Sequence, residues 1–280
     1  MRLKRAIALV GISTAALVAY NAWHSQNAPV RRASARLLEY DWGGWSLRYR
    51  LEGAGESTPV VLVHDLSSDA SLEDYADLIP TLARTRRVYA LDLPGFGFSE
   101  RQSAHYDAAL LRQALEDFLR EVVGQPAHLL ATHLSAGVAA ALPGELVRSL
   151  ALNCPTGRSL PSKLWSKALQ VPVWGEALWN LRGGAPGAHR IAAALEAGAF
   201  ESDLGALLER GHHPVIILCS GRVPSAPPLL ARELRDRAEE ARRVDLVAFP
   251  SAAEYPHLEE PGRYLSTLER FWNSVEAAQA

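Results

Sequence analysis

Asp92-Leu-Pro-Gly-Phe-Gly-Phe-Ser99 decides how this chain is read. It follows the apolar run Val88-Tyr-Ala-Leu91 and crowds Pro94, Gly95 and Gly97 together, as a strand does when it breaks into a tight turn. Upstream, Pro59-Val-Val-Leu-Val-His-Asp-Leu66 reads as a second buried strand opening into a loop. Downstream, His128-Leu-Leu-Ala-Thr-His-Leu-Ser-Ala-Gly137 reads as a third strand entering a helix. Helical spacing predicts helices over 74–84 and 108–123, the second with Leu111, Leu115, Phe118 and Val122 on one face. Later strands are predicted over 150–153, 215–218 and 244–249. A hairpin of 37–40 with 45–51 is predicted around Gly43-Gly44. Strands alternating with helices imply an α/β architecture, a mostly parallel sheet covered on both faces.

These three strand ends together resemble the α/β-hydrolase fold over roughly residues 36–275. The resemblance implies a short helical cap at about 156–210 on a domain spanning 37–280, and a nucleophile on the sharp turn of Gly-x-Ser-x-Gly. The matching residues here are Ala131-Thr132-His133-Leu134-Ser135, so His133 stands at the nucleophile's place. The acid of the family follows a late strand. In the matching run, Pro214 to Val223, Ser220 takes the place of a glycine and Val223 that of the acid. Some members carry the acid after the preceding strand instead, but no carboxylate follows Ser149–Pro155 before Glu176. The family histidine corresponds to Glu254, whereas Pro256, His257, Glu259 and Pro261 match. The His-Gly of the oxyanion loop is His64-Asp65, and a carboxylate there opposes a developing oxyanion.

A serine hydroxyl needs a base, and the base needs an orienting group. All three roles are replaced, so the first reading is a pseudoenzyme that binds a ligand or serves as an accessory subunit. A second reading is an esterase-type hydrolase with a rebuilt site. The resemblance brings His64, Asp65, His133, Leu134 and Glu254 into one pocket, where a Glu254–His133 pair supplies an acid–base centre. Those polar residues also suit a metal, although no metal-ligand spacing stands out and no cofactor is implied. A third reading is a displaced nucleophile, Ser135, served by His257. The plain role for Ser135 is to satisfy a free amide at a helix start.

The length, 280 residues, suits one large α/β domain, and 48% hydrophobic residues fill a core. A net charge of −2, with no basic patch and no phosphate loop, speaks against nucleic acid. Cys154 and Cys219 each end a predicted core strand and read as buried thiols, with a disulfide as the alternative. His128 reads as a strand-edge or surface residue. His212 and His213 are adjacent in extended chain and make a poor metal pair.

Met1-Arg-Leu-Lys-Arg5 is basic, and no Asp, Glu, Lys or Arg occurs from Ala6 to Val30. At ~1.5 Å per residue, Ala6–Trp23 spans about 27 Å, close to a ~30 Å hydrocarbon core. Residues 1–23 are therefore expected to anchor the chain in a membrane, with 24–36 as a linker; a cleaved signal peptide is the rival. Arg2, Lys4 and Arg5 put the N-terminus in the cytoplasm and the domain on the other side, a bias opposed by Arg31, Arg32 and Arg36. In the cap, Trp165, Trp174 and Trp179 either seal it onto the body or present an apolar surface to lipid, an apolar ligand or a protein.

Overall fold

A computed structural model of the chain describes residues 2–27, 32–103, 105–157, 167–211, 213–221, 244–252 and 255–278, with side chains from residue 14 onward. Eight strands form one sheet: β1 (Leu38–Trp42), β2 (Trp45–Glu52), β3 (Val60–Val63), β4 (Val88–Leu91), β5 (Ala127–Thr132), β6 (Val147–Asn153), β7 (Val215–Ser220) and β8 (Val244–Phe249). Their order is β1-β2-β4-β3-β5-β6-β7-β8. Strands β1, β2 and β4 pair antiparallel, and every later pairing is parallel. The helices are α1 (Arg2–Asn27), α2 (Ile79–Leu82), α3 (Ala108–Phe118), α4 (Ser135–Ala140), α5 (Trp174–Leu181), α6 (His189–Glu196), α7 (Leu204–Arg210), α8 (Pro256–Glu259) and α9 (Pro261–Ala277).

The period-two alternation of strands sorts the core into two layers. Val61 and Val63 of β3 face one cluster, filled by Leu111, Leu115 and Phe118 of α3. Val60 and Leu62 face the other, filled by Leu268, Phe271 and Trp272 of α9. Both faces of β3, β4 and β5 are fully buried, which is why these strands read as unbroken apolar runs.

The turn after β4 shows why its sequence was so informative. The Asp92 carboxylate is buried and accepts from the Leu72 and Phe98 amides, each at 2.7 Å. Ser99 Oγ donates to the Asp92 carbonyl at 2.6 Å and accepts from the Arg48 amide at 2.8 Å. Gly97 has φ +50°, and a Cβ there would lie 2.2 Å from the Asp92 carboxyl. Each of these residue types is dictated by the turn itself.

Some elements depart from expectation. The helix expected over 74–84 is a 3-10 turn, Leu72–Tyr75, followed by the short α2. Ser71 and Asp74 form a capping box on the first, and Pro80 at the start of α2 ends the run between them. Helix α3 passes into a π turn, Leu119–Val123, closed by left-handed Gly124. His128 is not at the surface. It is buried at the start of β5, bonded through Nδ1 to Ser149 Oγ at 2.7 Å and stacked on Trp272. His213 is likewise buried, and His212 lies outside the described residues. Cys154 and Cys219 are free, buried thiols, so the disulfide alternative is absent.

Helix α1 runs through Asn27, beyond the expected anchor boundary. Among the described residues no helix is long and apolar enough to cross a membrane, and the side chains of 2–13 lie outside that description. The carboxyl end of α1 lies on the cap. Asn21 Nδ2 donates to the Val173 carbonyl at 3.0 Å, and Asn180 Nδ2 donates to Asn21 Oδ1 at 3.1 Å. In the cap, Trp179 packs against Leu169, Ala192 and Ala193, while Val171, Trp174 and Leu181 stay exposed. Trp165 lies outside the described residues.

Candidate active site

The site is built at the carboxyl edge of the parallel strands, where an open α/β sheet leaves a crevice. Strand β5 ends at Thr132, and the chain turns into α4 through His133 with φ +50°. A left-handed conformation at a side chain this large is uncommon and strained. The turn is held by the His133 amide donating to the Asn153 carbonyl at 3.0 Å and by Ser135 Oγ accepting from the Thr132 amide at 3.0 Å. His133 therefore occupies the sharp turn, and Ser135 starts the helix behind it.

Ser135 is fully buried, and its hydroxyl also lies 2.8 Å from the Thr132 carbonyl and 3.3 Å from the Val63 carbonyl. Fully buried, with its one proton directed at these carbonyls and one lone pair held by an amide, it is closed to an incoming ester. His64 is also committed. Its Nε2 accepts from the Leu93 amide at 3.1 Å and its Nδ1 faces the Asp65 carbonyl, which fixes the neutral tautomer with Nδ1 protonated. A ring with both nitrogens engaged has no lone pair for a metal. Among the described residues no three His, Cys, Asp or Glu side chains are placed to hold one metal ion.

Asp65 and His133 do meet. His133 Nδ1 lies 3.3 Å from Asp65 Oδ2, with the two side chains 13% and 16% exposed. Asp65 Oδ1 also lies 3.4 Å from the Leu134 amide, the donor that follows the turn residue. In an acyl-transfer enzyme of this fold that amide serves the oxyanion. Burial alone would lower the His133 pKa. The Asp65 carboxylate at 3.3 Å, with the Cys154 sulfur as a lesser contributor, outweighs that and raises it to about 10. The turn thus carries an imidazolium at neutral pH.

Beside the pair lies a cavity of about 350 Å³, lined by Asp65, Ser67, Asp74, Tyr75, Tyr255 and His257 among others. The Tyr255 ring stands 5.7 Å from both His133 and His257. His257 is buried, and burial first, then the charge on His133, hold its pKa down at about 4 against the opposing pull of the Asp74 backbone. It lines the cavity as a neutral ring. Leu134 is buried beside the turn, and Val223 and Glu254 lie outside the described residues. Sequence reasoning read Cys154 as a buried thiol, as it is, and gave Tyr255 no role, because nothing in the chain's spacing signals that its ring stands against His133.

A family model described as the alpha/beta hydrolase family matches residues 60–267. The chain belongs to that family. It is 35% identical over 118 residues to the dihydrolipoyllysine-residue acetyltransferase component of an acetoin cleaving system from Pseudomonas putida, a match covering 41% of this chain and 31% of that protein. It is 31% identical over 136 residues to a 2-hydroxymuconate semialdehyde hydrolase from Pseudomonas sp. strain CF600, covering 46% of each. The chain thus spans less than half the length of these curated relatives. A thermophilic esterase from Thermogutta terrifontis shares the fold, with a TM-score of 0.69 and 20% identity over 86% of this chain and 99% of that one.

Proposed function

We propose that this member of the family is an esterase-type hydrolase whose acid–base centre has moved onto His133 and Asp65. The observation that carries the reading is the 3.3 Å approach of Asp65 Oδ2 to His133 Nδ1 on a strained turn, with Asp65 lining the adjacent cavity. A carboxylate that orients an imidazole is the arrangement general acid–base catalysis requires. The hydrolase name of the Pseudomonas relative and the esterase sharing the fold support a hydrolytic reaction. The test is turnover of short- and medium-chain acyl esters by the full chain. His133→Ala is expected to lose about 10²- to 10⁴-fold, the usual worth of a general acid–base group. Absence of wild-type turnover above background would sink the proposal.

One observation favours the pseudoenzyme reading instead. Asp65 engages the Leu134 amide, so the donor an oxyanion would use is already taken by a fixed negative charge. Under that reading the cavity binds a ligand and His133→Ala changes nothing in any esterase assay. Localisation is a separate proposal: α1 tethers the domain to a membrane, with Trp23 and Trp174, both exposed, at the interface. Extraction of the full chain from membranes by carbonate alone would refute insertion of α1.

A further inference from the structure

His257, on the short helix α8, is 2% exposed, and among the described residues neither of its ring nitrogens has a hydrogen-bond partner. The Asp74 backbone pulls on the ring but stands outside hydrogen-bond geometry. Three tyrosine rings pack around it, Tyr75 and Tyr255 at 5.7 Å and Tyr264 at 5.8 Å. A buried polar group with no partner is costly and rare, so it calls for a reason. Trp272 Nε1 and the Tyr264 hydroxyl are also unpartnered, but neither lines the cavity beside the Asp65–His133 pair. His257 does.

The rest of that cavity is one-sided in charge. Asp65, Asp69 and Asp74 line it, and among its described lining residues there is no Lys or Arg. Carboxylates around a recess of low dielectric focus a negative field within it. They are not placed to hold one metal ion, which leaves an organic cation as the charge that fits. The Tyr75 hydroxyl is committed to the Val63 carbonyl at 2.9 Å and to Thr132 Oγ1 at 2.7 Å, so Tyr75 offers the cavity its ring. Aromatic rings attract cations. His257, held neutral by burial, keeps a lone pair that accepts from an N–H. The volume, about 350 Å³, lies at the low end of small-molecule sites, which run from about 300 to 1,000 Å³. Asp65 belongs both to the cavity and to the pair with His133, so a ligand seated in the one lies against the other.

We propose that this cavity binds a protonated amine, and that the substrate of the hydrolase is an acyl ester carrying one. The ammonium donates to the ring of His257, the carboxylates around it supply the counter-charge, and Tyr75 and Tyr255 wall its methylene chain. The inference rests on the hydrolase reading above for the reaction and names its substrate class. Binding of the amine is tested apart from turnover.

For binding, n-butylamine, protonated near neutral pH, is titrated into the full chain and followed at the His257 ring signals by NMR, with 1-butanol as its neutral counterpart. A saturable shift is expected with the amine, at least ~10-fold tighter than with 1-butanol, and weaker at about 1 M salt and in Asp74→Asn and Asp69→Asn. Asp69 is exposed, so its variant leaves the core untouched. For turnover, p-nitrophenyl 6-aminohexanoate is compared with p-nitrophenyl heptanoate, which carries a methyl in place of the ammonium. The amino ester is expected to have a kcat/KM at least ~10-fold higher, and that ratio to fall several-fold in His257→Phe, which keeps a ring and removes both nitrogens. Equal binding of the two probes, or a ratio near one with both esters hydrolysed, would overturn the inference and leave the hydrolase reading standing. A preference for the cation that survives all three variants would place it elsewhere and overturn the inference too. Tighter binding of the amine with neither ester turned over would keep the amine site and end the hydrolase reading.

Discussion

His128 and His133 lie at opposite ends of one strand, both largely buried, and are driven to opposite charge states. At the lower end His128 stacks on Trp272, and its Nε2 lies 3.2 Å from Glu276 Oε1. Burial lowers its pKa to about 4, because Arg86 already claims that carboxylate at 2.6 Å and adds its own positive charge. At the upper end Asp65 has no competing cation beside it among the ion pairs described, and His133 is held at about 10. A nearby carboxylate therefore does not by itself charge a histidine. What decides is whether that carboxylate is already neutralised.

The comparison can be broken most forcefully at its lower end. Arg86→Met removes a nearly fully buried guanidinium and leaves Glu276 without its main partner. It is expected to cost about 3–5 kcal/mol, read by urea denaturation, and to raise the His128 pKa in an NMR titration. An unchanged His128 titration would show that burial alone sets it. Next in size is the pH dependence of the whole protein. His128 and His257 have folded pKa values below the unfolded value of about 6.5, so the unfolded chain binds more protons between about pH 6.5 and 4. Stability is expected to fall as pH drops through that window, by up to a few kcal/mol, measured as a decline in Tm. His133 acts in the opposite sense. Its contribution is fully present below about pH 6.5 and is lost as pH rises toward 10.

A smaller change sharpens the upper end. Asp65→Asn removes the orienting charge and is expected to lower the His133 pKa by about 1–3 units in an NMR titration. No shift would show that the Asp65 carboxylate does not set the charge on the ring. The smallest effect is expected from Ser135→Ala. Loss of its bonds to the Thr132 backbone should cost about 1 kcal/mol by denaturation with turnover intact. Lost turnover would revive it as the displaced nucleophile.

The frame of the fold was legible in the sequence because the turn after β4 writes its geometry into residue types. Asp92, Gly97 and Ser99 each have a backbone reason to be what they are. Strands β3 and β4 matched their expected bounds, since apolar runs set between breakers leave little freedom. The helix expected over 74–84 failed because periodicity does not register a capping box and a proline inside one apolar pattern. His133 was legible through the family pattern. Its meeting with Asp65 was not, because the two lie far apart in the chain and only the parallel register of β3 and β5 brings their ends together. His128 was misread for a related reason: its partners Ser149, Trp272 and Glu276 come from β6 and α9.

The bonds between Asn21 and the cap have a mechanical consequence. Asn21 accepts from Asn180 and donates to the carbonyl of Val173, itself at positive φ in a tight turn closed by the Trp174 amide on the Pro172 carbonyl. Helix α5 cannot swing away without carrying α1 with it or giving up those bonds. The first helix and helix α5 are one lever, so a partner that grips α1 more tightly in one position of α5 must, by linkage, shift where α5 rests.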